Sequence, residues 1–183
     1  MIETAKKNNV KLSVAHQNRF NKPIQKLREA VEEEKLGRIM NGTARILWRR
    51  DDNYYKQAPW RGTWDLDGGT LMNQCIHNID LMQWMIGSEV ERVYAECDTY
   101  RNNIEGEDFG AILVRFKNGA IGIIEGSAVV YPKNLEETLS IFGTQGTVVI
   151  GGLAVNELKT WRFEGEDEDN PNKWPALKAA AEA

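Results

Sequence analysis

Two periodicities divide this chain: a helical repeat of three to four residues recurs in its first half, and apolar–polar alternation fills most of the second. Ile24, Leu27 and Val31 fall on one helical stripe, Pro23 sits where a first helical turn tolerates a missing N–H, and Gly37 follows the end. Glu32-Glu33-Glu34 reads as the solvated face of that helix. From Arg38 to Arg50 the period drops to two, with Thr43, Arg45, Leu47 and Arg49 on one face and Ala44, Ile46, Trp48 and Arg50 on the other. A second helix opens at Gly68-Gly69-Thr70 and runs to Ile86, where Gly87 stops it. Strand patterns then follow over 90–99, 108–117, 120–131, 135–142, 146–150 and 155–163, of which 111–116 and 120–125 are apolar enough to be central. Lys117-Asn118-Gly119-Ala120 predicts a hairpin, and Gly143-Thr144-Gln145-Gly146 a second tight turn. At the start, residues 1–9 read as the end of a helix and Val10 to Val14 as a short strand. Glu164 to Asn170 reads as a solvated loop, and Lys178 to Ala183 as a helical tail. The sum is an α+β fold, a large open and mostly antiparallel sheet with helices on one face. The other face needs cover, and a second copy of the chain is its cheapest source, which predicts a homo-oligomer.

Length and charge narrow the function. The 183 residues suffice for one good core, or one and a fraction. Acids outnumber bases 27 to 23, a net charge of −4 that offers no general attraction to nucleic acid or membrane phosphates. No apolar run approaches a membrane span, and the N-terminus lacks the apolar core of a secretion signal. Cys75 and Cys97 are neither CxxC-spaced nor numerous enough for a disulfide framework, so a reducing cytoplasm is expected. Two His and two scattered Cys do not make a zinc site, and no metal is expected. The sequence contains no G-x-G pair, P-loop, H-E-x-x-H or G-x-S-x-G pattern.

What chemistry remains centres on the second helix. Asn73 and His77 lie four residues apart and Asp80 three later, so a continuous helix would present all three from one face. A neutral amide, a titratable imidazole and a carboxylate form a proton-handling set. A core helix whose polar residues merely cap and solvate it fits the same spacing, and the residues alone leave both readings open. The preceding loop, 51–67, carries Tyr54, Tyr55, Trp60, Arg61 and Trp64, more than a passive connector needs. Loop packing is the favoured explanation for the two tyrosines, whereas the planar guanidinium of Arg61 suits a phosphate or carboxylate.

The run from Gly68 to Asp80, continued by Leu81-Met82-Gln83-Trp84-Met85-Ile86-Gly87, resembles the signature helix of the Gfo/Idh/MocA oxidoreductases. The order of parts resembles it too: a strand, Gln17-Asn18-Arg19-Phe20-Asn21-Lys22-Pro23, helix, strand, loop, signature helix and open sheet, over Met1 to about Phe163. Trp60-Arg61-Gly62-Thr63-Trp64, with Asn73-Gln74, is most similar to the UDP-N-acetylglucosaminuronic acid 3-dehydrogenase branch. The resemblance implies oxidation of a ring hydroxyl of a sugar or sugar nucleotide, with hydride passed to NAD or NADP. By the same resemblance His77 faces the substrate hydroxyl as an acid/base or polarising group, and Asn73 stands where many members carry an acid. Asp80 orients His77 or holds the helix. Asn18, Arg19, Tyr54, Tyr55 and Arg61 approach the substrate, and Trp60 and Arg61 the cofactor. Family members also carry an N-terminal Rossmann domain with a glycine loop and a Glu-Lys-Pro motif, neither of which occurs here. The expectation is therefore that residues 1–20 are the last helix and strand of such a domain, and 21–183 a substrate-binding and oligomerisation domain. Such a chain would be inactive alone and could partner a separate Rossmann domain. The alternative is a non-catalytic sugar-binding or assembly module. In either case residues 1–20 would detach, pair with a neighbouring chain or dock irregularly.

Overall fold

The computed structural model describes residues 1–165, so most of the expected acidic loop and the whole C-terminal tail lie outside the described residues. Seven strands build one sheet: β1 (Ile39–Leu47), β2 (Val90–Asp98), β3 (Phe109–Phe116), β4 (Ile121–Ser127), β5 (Glu136–Gly143), β6 (Gly146–Gly151) and β7 (Glu157–Phe163). Their spatial order is β2-β3-β4-β1-β5-β6-β7. Every neighbouring pair is antiparallel except β1 and β4. The expected mostly antiparallel sheet is thus observed, with β1 as its middle strand. The hairpin at Asn118-Gly119 closes as the Asn-Gly signal predicts: Gly119 has φ +88 and Phe116 N–H donates to Ala120 C=O at 3.0 Å.

The helices are α1 (Ile2–Lys7), α2 (Lys22–Glu32), α3 (Asp52–Tyr55), α4 (Gly69–Asn73) and α5 (Ile76–Ile86). The core forms where α2 and α5 cover one sheet face, with Ile24, Leu27, Leu81, Met82 and Met85 packed against Ala44, Leu139, Ile141, Val148 and Ile150. Each such aliphatic side chain contributes about 1.5–3 kcal/mol by leaving water. Close approach of α5 depends on small residues in the strands beneath it. A Cβ on Gly126 would lie 2.2 Å from the sulfur of Cys75, and one on Gly42 2.8 Å from that of Met82. On the opposite face the register aligns Tyr94, Leu113 and Ile123 across β2, β3 and β4, and these are 63, 48 and 47% exposed. No helix among the described residues is long and apolar enough to cross a membrane.

Two expectations are corrected. Val10 to Val14 is not a strand: it joins no ladder of this sheet, and Leu12 and Val14 are 49 and 87% exposed. Alternation reports which way side chains would point, whereas a strand also needs a hydrogen-bonding neighbour, and the sheet offers none here. The second helix is also not continuous, because it breaks between Asn73 and Ile76. Gln74 N–H and Cys75 N–H both donate to the carbonyl of Thr70, at 2.9 and 3.0 Å, which widens the turn where Cys75 settles onto Gly126.

Candidate functional site

The break resets the side chains that the spacing aligned. Asn73 ends α4 and donates from its amide to Asp67, while its carbonyl accepts from Gln74 Nε2 at 2.8 Å. His77 stands in the first turn of α5, half-buried, and faces the chain segment that precedes α2. Its Nε2 lies 3.1 Å from the amide nitrogen of Gln17. An amide NH2 can only donate, so in this arrangement His77 Nε2 presents its lone pair and the ring proton sits on Nδ1. Burial, and after it the neighbouring His16, lowers the His77 pKa, which Asp80 only partly opposes. The site therefore holds a neutral imidazole. The rings of His16 and His77 meet edge to face, 6.4 Å apart.

Asp80 and His77 form no hydrogen bond. The Asp80 carboxylate, 12% exposed, is instead gripped by Arg19, with Nε on one oxygen at 2.7 Å and Nη2 on the other at 2.5 Å. His16 Nδ1 lies 3.7 Å from the same carboxylate. This bidentate pair raises the Arg19 pKa further, and the guanidinium also stacks on Trp84 at 4.7 Å. Asn18 turns inward and donates to Glu137 at 2.9 Å. Gln17 to Phe20 form a single 3-10 turn, which is how three consecutive side chains reach three different partners.

Beside this group lies a second one, built on the loop after β1. Asp51 caps α3 by accepting from Tyr54 N–H at 3.1 Å, and the Tyr54 ring reaches Gln74, just past the end of α4. The Tyr54 hydroxyl accepts from Gln74 Nε2 at 2.9 Å and from Arg61 Nη1. Arg61 lies 4.2 Å above Tyr54 and 4.6 Å above Trp60. Arg50 donates to Gln74 Oε1 at 2.8 Å and stacks 4.8 Å over Trp48. Arg19 and Arg45 have carboxylate partners, whereas among the described residues neither Arg50 nor Arg61 has one. Tyr55 packs edge-on to Tyr54 at 5.2 Å, and burial pushes its phenol up to about 12. Tyr55, Lys56, Arg61, Thr63, Ile104 and Glu105 line an adjoining concavity of about 520 Å³. Trp60 and Trp64, 39 and 59% exposed, stand at the outer side of this loop.

The helix start at Gly68-Gly69 is where a dinucleotide cradle would be sought, and it does not fit one. Leu71 N–H donates to the Glu107 carboxylate at 2.8 Å and Thr70 N–H to the Glu107 carbonyl at 2.9 Å, so two first-turn donors are already taken, one of them by an acid. Gly69 has φ +80, and a Cβ there would lie 1.9 Å from Glu107 Oε2. Glycine is required at this position by that carboxylate. Sequence reasoning missed Glu107 and Glu137, since nothing near either position marks it as reaching the site. His16 and Gln17 adjoin the Asn18-Arg19 pair, and Arg50 ends the strand pattern beside the aromatic loop, so adjacency was their available signal.

The chain is similar to known proteins in sequence and in fold. The GFO/IDH/MocA C-terminal domain model matches residues 24–149. The WlbA dehydrogenase of Chromobacterium violaceum, solved with NADH and UDP-GlcNAcA, superimposes with a TM-score of 0.86 at 40% identity, covering 99% of this chain and 51% of that one. The WlbA dehydrogenase of Bordetella pertussis, solved with the same two ligands, does so with a TM-score of 0.86 at 38% identity, over 98% of this chain and 51% of that one. The myo-inositol 2-dehydrogenase of Thermotoga maritima is 29% identical over 155 residues, 81% of this chain and 43% of its own length. The chain thus spans about half the length of these solved structures and less than half of that curated relative.

Proposed function

The chain belongs to the Gfo/Idh/MocA oxidoreductase family, and from that premise we propose that it forms the substrate side of a nicotinamide-dependent dehydrogenase that oxidises a ring CH–OH of a sugar nucleotide. The observation that carries this reading is the position of His77 at the rim of α5, its Nε2 3.1 Å from the Gln17 amide nitrogen and its neutral form favoured by burial. A substrate hydroxyl taking the place of the Gln17 amide would meet a base able to accept its proton. Arg19 clamps Asp80 and so keeps that carboxylate from drawing the proton of His77 elsewhere. Arg50 and Arg61, cross-linked through Gln74 and Tyr54 but without carboxylate partners among the described residues, receive the diphosphate or the sugar carboxylate. The WlbA dehydrogenases, solved with NADH and UDP-GlcNAcA, support both the substrate class and the choice of NAD.

Because the residues that open α4 do not fit a dinucleotide, the cofactor would be presented from outside the described residues, as by a Rossmann domain. The 183-residue chain by itself would then neither bind NAD measurably nor turn over. The open sheet face around Tyr94, Leu113 and Ile123 would be covered by a second copy of the chain. Calorimetry on the full chain tests the site: UDP-GlcNAcA should bind, and Arg61→Met should weaken it by about tenfold or more, the loss of one charge-assisted contact. Tight stoichiometric binding of NAD, or no binding of the sugar nucleotide, would overturn the proposal.

A further inference from the structure

The segment that supplies Gln17 and Arg19 to the cleft belongs neither to the sheet nor to the helices that cover it. Between α1 and α2 its regular structure is the one 3-10 turn, and three successive side chains tie that turn down. Gln17 and Arg19 attach to α5, through His77 and Asp80. Asn18, 8% exposed, is the inward anchor and attaches to β5 through Glu137. Glu137 is 1% exposed and pairs in register with Ile46, on the sheet face that also carries Leu139 and Ile141. An apolar side chain would suit that face better, since a buried carboxyl is costly unless its bonds are worth keeping. Its backbone N–H donates to Gly152 C=O at 2.8 Å, so the strand beneath the turn is itself fixed.

We propose that Glu137 is a positioning residue for the His77 cleft: through Asn18, its buried carboxyl sets where the Gln17–Phe20 turn sits against His77 and Asp80. This rests on the reading of that cleft as functional, and adds a residue two layers below it. Burial pushes the Glu137 carboxyl up to about 7, with the Asn18 bond opposing the shift. Cys75, whose thiol Glu137 also influences, stays uncharged because burial pushes it up to about 12. Near neutral pH the anchor thus exists both protonated and ionised. The ionised carboxylate accepts the Asn18 bond more strongly, but its burial costs more than that bond returns, which is why the pKa is raised.

Nuclear magnetic resonance on the full chain tests this with Glu137→Gln and Glu137→Ala. Arg19 N–H bonds to His16 C=O and Asn21 N–H to Asn18 C=O, so both amides report the turn. In Glu137→Ala their hydrogen exchange should rise by about tenfold while the β3 and β4 amides keep wild-type rates, the signature of local release. In the wild type the Asn18 side-chain amide should shift with a midpoint near 7, and that step should vanish in Glu137→Gln, which keeps the acceptor but cannot titrate. Unchanged exchange in Glu137→Ala, or an equal rise throughout the sheet, would overturn the proposal. So would persistence of the Asn18 step in Glu137→Gln, which decides the matter if the alanine variant does not fold. None of these signals needs a ligand, so they stand or fall separately from sugar-nucleotide binding.

Discussion

Replacing Gly69 with alanine should destabilise the chain by about 2–5 kcal/mol, through two costs that simple controls can separate. The first is conformational: Gly69 has φ +80, and a side chain in the left-handed region costs about 1–2 kcal/mol. The second is steric: the new Cβ would lie 1.9 Å from Glu107 Oε2 and 2.3 Å from its Cδ. The carboxyl end of a side chain can usually swing aside, but this one is 3% exposed and accepts from Leu71 N–H at 2.8 Å. Displacing it leaves a buried donor and a buried acid unpaired, about 1–3 kcal/mol. Gly87→Ala is the control, because Gly87 has φ +66 but a Cβ there meets nothing within 4 Å, and only the conformational cost of about 1 kcal/mol should appear. Urea unfolding followed by circular dichroism gives both values, and a Glu107→Ala background closes the cycle by removing the steric partner. In that background Gly69→Ala should cost no more than Gly87→Ala. If Gly69→Ala already matches Gly87→Ala in the wild type, Glu107 does not brace the start of α4.

Three further outcomes follow from the same geometry. Glu137 has its pKa raised from 4.5 to about 7, so the native state binds its proton more tightly, and the stability it contributes is full below about pH 4.5 and lost as pH rises through 7. Relative to Glu137→Gln, the wild type should lose about 3 kcal/mol across that window, and superimposable pH–stability curves would refute the burial argument. The His77 imidazole should titrate below its ordinary 6.5, and His16→Gln should move the midpoint upward by removing a neighbouring charge; a wild-type midpoint above 6.5 would contradict this environment. A thiol reagent should label Cys97 in the native chain but reach Cys75, 0% exposed against Gly126, only on unfolding, and rapid labelling of both would mean that α5 does not sit on the sheet as described.

Strands were the most legible part of this sequence, because alternation and the Asn118-Gly119 turn are local and each strand found a neighbour. Val10 to Val14 shows the limit: its alternation is as clear as that of β5, but hydrogen-bonding partners are not written into a local pattern. The break between α4 and α5 escaped for a similar reason. Its cause is the contact of Cys75 with Gly126, far along the chain, and no residue in the helix itself is a breaker. At the site, the spacing of Asn73, His77 and Asp80 aligned three residues, of which His77 and Asp80 share His16 as a neighbour. It could not show that Asn73 would turn to Asp67 and Asp80 to Arg19. Those partners come from other elements, as do Glu107 and Glu137, and pairing across elements becomes visible only once the sheet has brought them together.

The most direct measurement is a resonance-perturbation map of the full chain as UDP-GlcNAcA is added. The account predicts that the shifts concentrate on Gln17, His77, Arg50, Arg61 and Asn73, with the His77 ring nitrogens moving as the Gln17 amide gives way to a hydroxyl. Saturating ligand that leaves His77 and Gln17 unmoved, whether it binds elsewhere or not at all, would contradict it.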